Sequence, residues 1–324
     1  MGAFGMGMKR VLITGATGFT GRHACRRFAD AGWEVVAVAS GRGLLPEETA
    51  APRGAKTIRW TGCDLTDREA VRGLIRETSP DALLHLAGQN AVDRSWREPD
   101  LTLAVNALST VYLLEAMRER RKDGRSLVVG SMLREPPESC PHPYSYSKFV
   151  QVSSALAWHR WYGMEVVVAE PSNLIGPGGS GGICGKIARW AAQAERGGSS
   201  TASEVPPFRL SSLTERRDYL DVRDAVNAYE ILLREGQAGM PYAVESGTMR
   251  SLEEIRAEFG RIASVPLHWE VGSAAAAGES PRPRDCSPVR SLGWSPAIPF
   301  SESVRDALEE ERGRYRERRE ERAE

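Results

Sequence analysis

Short runs of β-branched residues alternate with segments of helical periodicity through the first half of the chain. The runs predict strands at residues 10–14, 34–39, 57–60, 82–87, 126–130 and 165–169. Apolar residues at helical spacing predict helices between them, at residues 21–31, 67–78, 101–121 and 144–162. Strands that are apolar throughout and separated by helices indicate a parallel sheet covered on both faces. We therefore predict an α/β fold built on a doubly wound parallel sheet.

A glycine-rich turn follows the first predicted strand and opens the first predicted helix. Gly15 permits the tight bend, Gly18 lets the backbone approach a pyrophosphate, and Gly21 allows the helix to pack against the strand. Phe19 and Thr20 place their backbone amides at the helix start, where the helix dipole favours an anion. This context predicts a dinucleotide-binding Rossmann fold.

The end of the second predicted strand bears on the choice of dinucleotide. An NAD site usually has a carboxylate at this point, but the chain has Ser40 and Arg42, which suit a 2′-phosphate. We therefore expect NADP(H), with NAD(H) as the alternative. Residues after the third and fourth predicted strands are expected beside the same cofactor: Asp64 and Leu65 at the adenine, Ala87 and Gly88 at the ribose.

A serine, a tyrosine and a lysine form the candidate catalytic group. Ser131 follows the fifth predicted strand, and Tyr144 and Lys148 are spaced by four residues on one helix face. A nearby ammonium group favours the phenolate, so we expect the pKa of Tyr144 to lie below its usual value of about 10. Tyr144 would then exchange a proton with a substrate oxygen that Ser131 also holds.

The composition excludes several other classes of function. Its 43 basic residues balance its 43 acidic residues, which gives no support to nucleic acid or an anionic membrane as a partner. No apolar segment reaches the length of about 18 residues that a membrane span needs. The five cysteines form no CxxC pair, and the five histidines have no metal-ligand spacing, so neither a disulfide scaffold nor a metal site is predicted. Together with the absence of a signal-peptide pattern, this predicts a cytoplasmic protein.

The residues named above resemble the extended branch of the short-chain dehydrogenase/reductase family, whose members act on nucleotide sugars. The resemblance also covers His85–Gly88, Asn106, the run PSNLIGPG at 171–178, Arg217–Tyr219 and LGWSP at 292–296. Three stretches, at 93–96, 173–178 and 217–224, are most similar to GDP-4-keto-6-deoxymannose reductases and their dehydratase relatives. The tyrosine and lysine retained here disfavour a non-catalytic scaffold on the same fold.

The resemblance implies roles at matching positions. Ser131, Tyr144 and Lys148 would form the catalytic triad, Lys148 would also bind the nicotinamide ribose, Asn106 would support the lysine, and Pro171 would bound the nicotinamide pocket. Substrate contacts would come from Ser95, Asn173, Arg217 and Arg282. Residues 1–169 and 214–247 would form the dinucleotide-binding domain, and residues 170–213 and 248–324 a smaller mixed α/β substrate-binding region. A homodimer is also implied, through the helices at 101–121 and 144–162.

Departures from the family pattern decide between activities. Met132 and Leu133 follow Ser131 where 4,6-dehydratases have a carboxylate, and Glu135 is the nearest acidic residue. Only thirteen residues separate Ser131 from Tyr144, which is shorter than usual for the extended enzymes. We expect an NADP(H)-dependent reduction of the C4 keto group of a nucleotide-linked 4-keto-6-deoxy sugar. The alternative is a nucleotide-sugar 4-epimerase, and a 4,6-dehydratase is less favoured.

Overall fold

The chain divides into two compact units. The computed structural model describes residues 10–41, 58–120, 124–131, 133–196, 205–272 and 283–320. The first unit comprises Met1–Pro171, Val226–Val244 and Ser287–Trp294, and the second comprises Ser172–Ala225, Glu245–Cys286 and Ser295–Glu324. Within the described ranges, none of the helices has both the length and the apolar character that a membrane crossing requires.

A seven-stranded sheet forms the centre of the first unit. With strands numbered along the whole chain, it contains β1 (Arg10–Thr14), β2 (Glu34–Ala39), β3 (Ile58–Gly62), β4 (Ala82–His85), β5 (Arg125–Val129), β6 (Val166–Pro171) and β10 (Pro241–Val244). The spatial order is β10–β6–β5–β4–β1–β2–β3, and every neighbouring pair is parallel. The order changes direction between β1 and β4, and ligands bind at the carboxyl ends of strands beside such a point. The predicted doubly wound fold is confirmed.

Helices alternate with these strands along the chain of the first unit. They are α1 (Phe19–Asp30), α2 (Arg68–Thr78), α3 (Val92–Arg97), α4 (Pro99–Leu103), α5 (Ser109–Arg120), α6 (Pro143–Tyr162) and α10 (Ser287–Arg290). Leu12, Leu83 and Val168 from the strands meet Leu113 and Ala155 from the helices in one fully buried cluster. Burying each large aliphatic side chain stabilises the fold by about 1.5–3 kcal/mol, so this layer holds the strand ends in place.

A π-helical turn, Ala104–Leu108, interrupts the helix that the periodicity predicts at 101–121. The turn lies between α4 and α5 and contains Asn106, whose side chain is fully buried. Asn106 donates to the backbone oxygen of Gln89 at 3.0 Å and accepts from its backbone nitrogen at 2.7 Å. Turns of this kind are frequent at functional sites because they place a side chain where a regular helix would not.

The second unit has its own small sheets and its own core. Strands β7 (Asn173–Ile175), β9 (Arg216–Asp221) and β11 (Met249–Ser251) form one mixed sheet, and β8 (Phe208–Leu210) pairs with β12 (Trp269–Val271). Helices α7 (Ile183–Arg196), α9 (Leu252–Ile262) and α11 (Phe300–Glu320) accompany them, while α8 (Val222–Glu235) crosses the boundary between the units. Residues 214–225, expected with the dinucleotide-binding domain, fall in this unit because β9 pairs with β7 and β11.

Candidate active site

The glycine-rich turn between β1 and α1 has the form that an approaching pyrophosphate needs. Gly15 adopts φ +68°, and a Cβ there would lie 2.8 Å from the backbone nitrogen of Ala87. A Cβ on Gly21 would overlap the carbonyl oxygen of Gly15. Gly18 is the N-cap of α1 and no side chain caps this helix, so its first-turn amides suit an anionic ligand. Phe19 starts the helix, and these features fit the diphosphate of a dinucleotide.

The carboxyl ends of β2 and β3 hold the residues expected beside the adenosine half. Ser40 directly follows β2 and is exposed, whereas Arg42 lies outside the described residues. Asp64 accepts hydrogen bonds from the backbone nitrogen of Thr66 at 2.9 Å and from its hydroxyl at 2.7 Å. Leu65 packs against the core of the first unit. The strand ends therefore lie at the expected edge of the sheet, and the cofactor contacts of these residues stay predictions.

Ser131 and Tyr144 meet through their hydroxyl groups. Both residues are buried, and the Tyr144 phenol donates to Ser131 Oγ at 3.3 Å. The backbone nitrogen of Leu133 also donates to Ser131 Oγ, at 3.1 Å. Since the serine oxygen accepts two hydrogen bonds, its own proton remains available to donate to a further acceptor, such as a carbonyl oxygen. Tyr146, two residues further along the same helix, is 38% exposed.

The position of Tyr144 depends on how α6 begins. His142 is the N-cap residue, and its Nδ1 accepts from the backbone nitrogen of Ser145 at 3.0 Å. Pro143 occupies the first helical position, where its missing N–H group costs no hydrogen bond. The imidazole ring of His142 also packs against the ring of Tyr144, with 5.9 Å between the centroids. This cap therefore fixes the first turn of the helix that carries the phenol.

Lys148 is fully within the protein interior, and its nearest partner was not predicted. Its Nζ donates to Gln151 Oε1 at 3.0 Å. Burial lowers the pKa of Lys148 to about 8. Gly88 explains how the ammonium group fits, because a Cβ at that position would lie 3.2 Å from Lys148 Nζ. Gln151 lies three residues after the lysine on α6, and that spacing was the signal that could have identified it.

The pKa of Tyr144 departs from the expectation. Burial raises it above the usual value of a phenol, and the hydrogen bond with Ser131 lowers it only in part. The expected acidification by Lys148 is wrong for this arrangement, since the ammonium group is directed to Gln151 and desolvation disfavours the phenolate. Tyr144 is therefore a protonated phenol, the form that a general acid requires.

Asn106 supports the site through the backbone and through α6. Besides its two bonds with Gln89, its amide group donates to Ser147 Oγ at 2.8 Å. Ser147 in turn donates to the carbonyl oxygen of Tyr144 at 2.7 Å. Asn106 is thus linked to the helix turn that holds Tyr144, and a contact of its side chain with Lys148 stays a prediction.

The loop between Ser131 and Tyr144 is tied to the end of β6. Arg134 forms an ion pair with Glu170, whose side chain is only 7% exposed and which precedes Pro171. Ser145 Oγ donates to the carbonyl oxygen of Leu133 and closes the loop from the other side. Glu135 is exposed and accepts a hydrogen bond from Ser139. The loop is thus held at both ends. The carboxylate of Glu170, which the sequence analysis did not single out, is bound to Arg134.

The four residues expected at the substrate are in different surroundings. Ser95 is fully buried and donates to the carbonyl oxygen of Val92 within α3, so its hydroxyl serves that helix in this structure. In the second unit, Asn173 donates to the backbone oxygen of Asp218 at 3.1 Å, and Arg217 pairs with Glu215 at 2.8 Å. Arg282 lies outside the described residues. Their roles toward a substrate stay predictions.

Clusters of potential metal ligands are absent from the part of the chain that the structure describes. No group of three or more His, Cys, Asp and Glu side chains there could hold a metal ion. His85 is a buried core residue, and burial together with the charge of Lys148 lowers its pKa to about 3. It is therefore neutral, with both ring nitrogens within hydrogen-bond distance of threonine hydroxyls.

Comparison with known proteins gives consistent results over nearly the whole chain. The model of the NAD dependent epimerase/dehydratase family matches residues 11–244. The chain is 31% identical to GDP-6-deoxy-D-mannose reductase of Pseudomonas aeruginosa, over 95% of this chain and 99% of that one. It is 27% identical to UDP-glucose 4-epimerase of Mycolicibacterium smegmatis, over 93% and 97% of the two chains. Among solved structures, RMD from Pseudomonas aeruginosa complexed with NADPH has a TM-score of 0.75 and 28% identity, with 95% of this chain and all of that chain covered.

Proposed function

The chain belongs to the NAD dependent epimerase/dehydratase family, and from this we propose that it reduces the C4 carbonyl of a nucleotide-linked 4-keto-6-deoxy sugar with NADPH. The substrate is a sugar of the GDP-4-keto-6-deoxymannose type. The observation that carries the proposal is the buried Tyr144–Ser131 pair at the carboxyl edge of the parallel sheet, with Lys148 buried one turn further along α6.

Reduction of a carbonyl group requires a hydrogen-bond donor and a proton donor at the carbonyl oxygen, and Ser131 and Tyr144 provide them. When bound, the cofactor supplies a hydride for the carbonyl carbon. Ser131 donates its remaining proton to the carbonyl oxygen and thereby stabilises the negative charge that develops there. Tyr144 transfers its phenolic proton to the same oxygen, which completes the alcohol. Lys148, one turn further along α6, supplies a positive charge that partly offsets the cost that burial imposes on the phenolate. All three side chains are buried, which limits the access of water to this exchange.

The absence of a suitable carboxylate favours reduction over elimination. A 4,6-dehydratase must remove a proton from C5 and expel the C6 hydroxyl, which takes an acid or base beside the serine. The residues directly after Ser131 are Met132, Leu133 and Arg134, none of which can serve. Glu135 is exposed and bonded to Ser139, and Glu170 is held by Arg134. The residues near the serine therefore support reduction.

The proposal includes NADPH as the reductant. Ser40 directly follows β2, in the place where an NAD site usually has a carboxylate that would repel a 2′-phosphate. A solved structure that resembles this chain at 28% identity contains NADPH. NADH is the alternative, and the ratio of kcat/KM for the two cofactors distinguishes them.

A nucleotide-sugar 4-epimerase is the second candidate, because the chain is 27% identical to such an enzyme over almost its full length. An epimerase would use the same three residues to oxidise C4 and then reduce it on the other face. A panel of GDP-, dTDP- and UDP-linked sugars separates the two activities. A reductase consumes NADPH with the 4-keto sugars and forms a 4-hydroxy product, whereas an epimerase converts the 4-hydroxy sugars without net consumption of cofactor.

We also propose a cytoplasmic homodimer. All five cysteines lie in the described ranges and none of them forms a disulfide, as suits a reducing compartment. Leu108, Tyr146, Trp161 and Tyr162, on or beside α5 and α6, are between 38% and 64% exposed, which supports association through these helices. The mass in solution, measured by light scattering, tests the dimer, and a Trp161→Glu variant should shift it toward the monomer.

A further inference from the structure

We propose that Gln151 is a positioning residue that holds the ammonium group of Lys148, and that a buried chain of hydrogen bonds through Thr110 and His85 to Thr14 sets the direction of its amide. The inference deepens the proposed function, since it concerns the lysine on which that function rests. The four residues Gln151, Thr110, His85 and Thr14 are all fully buried. We call these four residues the lysine support chain.

The direction of the Gln151 amide follows from what its partners can do. An ammonium group only donates, so Lys148 Nζ requires the oxygen of the amide, which accepts at 3.0 Å. The amide nitrogen then faces Thr110 and donates to its Oγ1 at 3.1 Å. A flipped amide would place two donors together at the lysine and leave Thr110 without this bond. The side chain therefore has one satisfactory orientation.

Thr110 transmits this constraint to His85. The threonine hydroxyl donates its single proton to the carbonyl oxygen of Asn106 at 2.9 Å. Thr110 Oγ1 can then only accept from the His85 ring nitrogen Nε2, which lies 2.9 Å away. His85 must therefore carry its proton on Nε2 and accept at Nδ1. The carbonyl oxygen of Asn106 is part of the π-helical turn, so this turn takes part in the arrangement.

The other end of the lysine support chain lies beside the cofactor-binding turn. Thr14 Oγ1 accepts from the backbone nitrogens of Leu86 and Ala87, each at 3.2 Å. Its own proton is therefore left for His85 Nδ1, at 2.7 Å. Each hydrogen bond in the chain then has one donor and one acceptor without conflict. Ala87 also faces Gly15 of the glycine-rich turn, so the chain connects that region with Lys148.

The charge distribution along the chain makes Gln151 important for the lysine. His85 on β4 is neutral and interacts electrostatically with Lys148, while Tyr144 lies one turn before Lys148 on α6 and is protonated. The amide oxygen of Gln151 thus supplies partial negative charge to a buried cation. A hydrogen bond to the charged form favours that form, so the ammonium state depends on this contact.

Lysine side-chain NMR tests the inference without any sugar substrate. The full-length protein, labelled with 15N at the lysine Nζ atoms, is titrated from pH 6 to pH 10, and the Lys148 signal is identified by its loss in Lys148→Arg. The wild-type signal should titrate near the expected value of about 8. Gln151→Met, which keeps the length of the side chain, should lower that pKa by about one unit because the charged form loses its acceptor. Gln193→Met, exposed on α7, should leave it unchanged.

A pair of threonine variants keeps the test decisive if Gln151→Met does not fold. Thr110→Val removes the hydroxyl at nearly constant volume and should move the Lys148 pKa in the same direction, whereas Thr110→Ser should restore it. A Lys148 pKa that stays at its wild-type value in Gln151→Met or Thr110→Val would overturn the inference. Because these titrations need no turnover, they are independent of whether the proposed reaction is correct.

Discussion

The phenol of Tyr144 donates to the hydroxyl of Ser131 across 3.3 Å, although the two residues are thirteen positions apart in the chain. The contact forms because β5 ends, and α6 begins, at the same edge of the sheet. His142 caps α6 and Arg134 ties the intervening loop to Glu170, so both ends of the loop are fixed. The reaction proposed above depends on this pair, and four predictions follow from its surroundings.

Removal of the phenolic hydroxyl should abolish turnover while the cofactor still binds. Tyr144→Phe loses the general acid, whose contribution is roughly a hundredfold or more in rate. Tyr146→Phe, two residues along the same helix and 38% exposed, is the matched control and should keep nearly the full rate. Steady-state assays of NADPH oxidation, with NADPH binding measured by fluorescence, distinguish the two variants. A Tyr144→Phe enzyme with near-normal kcat would remove the tyrosine from the mechanism.

The rate should fall as the pH rises through about 8, where burial places the pKa of Lys148. Below that pH the lysine is an ammonium group, and Tyr144 remains a protonated acid because burial raises its pKa. The folded pKa of Lys148 lies below its usual 10.5, so the unfolded chain binds more protons between pH 8 and 10.5. The free energy of unfolding therefore rises with pH in this range as far as Lys148 contributes to it. Unfolding caused by deprotonation of Lys148 does not account for the lost rate.

The pH profile of kcat/KM in Lys148→Arg provides the control. A guanidinium group stays charged across the whole range, so the variant should be slower but should lack the decline near pH 8. If the wild type and Lys148→Arg lost activity over the same pH range, a group other than the lysine would be responsible.

A single added methyl group in the glycine-rich turn should weaken both cofactor binding and the fold. A Cβ on Gly21 would overlap the backbone of Gly15 and Ala16, so Gly21→Ala should prevent NADPH binding and destabilise the fold. Gly73 in α2 has no atom within 4 Å of its Cβ position, and Gly73→Ala should stabilise the chain by about 0.5–1 kcal/mol. Isothermal titration with NADPH and urea unfolding measure both effects. Equal NADPH affinities in the two variants would contradict the assigned role of the turn.

Loss of the ion pair between Arg134 and Glu170 should lower the free energy of unfolding, because the Glu170 carboxylate is buried. Arg134→Met leaves the carboxylate buried without this pair, at a cost of about 1–3 kcal/mol in unfolding free energy. Adding Glu170→Gln removes the charge and should recover most of the loss. Urea unfolding of the two single variants and the double variant gives the coupling energy. Strictly additive effects would show that the pair does not hold the loop.

Much of the sheet could be predicted because its strands are uniformly apolar. The predicted strands at 10–14 and 34–39 coincide with β1 and β2, and the order of strands and helices follows from the alternation. The strand at 82–87 is shorter than predicted, since β4 ends at His85 and Leu86 and Ala87 turn to donate to Thr14 instead. An apolar run does not show where pairing stops and a binding loop begins.

The candidate catalytic group and the contact between Ser131 and Tyr144 follow from the spacing, but the electrostatics of the group do not. The ordinary pKa shift expected for a tyrosine beside a lysine assumes that the two charges face each other. In the folded chain Lys148 donates to Gln151 and Tyr144 donates to Ser131, and burial sets the direction of both pKa shifts. Burial arises from contacts between distant elements, so a local motif does not report it. For the same reason, the sequence pattern did not indicate that the buried residues Thr110 and His85 are connected to Gln151 by hydrogen bonds.

The stereospecific fate of one hydrogen atom tests the central claim most directly. The enzyme is incubated with a GDP-linked 4-keto-6-deoxy sugar and NADPH in which both hydrogens at C4 of the nicotinamide are deuterium, and the product is analysed by NMR. The account predicts one equivalent of NADPH oxidised per sugar and deuterium found at C4 of a 4-hydroxy product. The account would be contradicted if the enzyme converted 4-hydroxy sugars to their C4 epimers but, with the keto sugar, oxidised no NADPH and transferred no deuterium to C4.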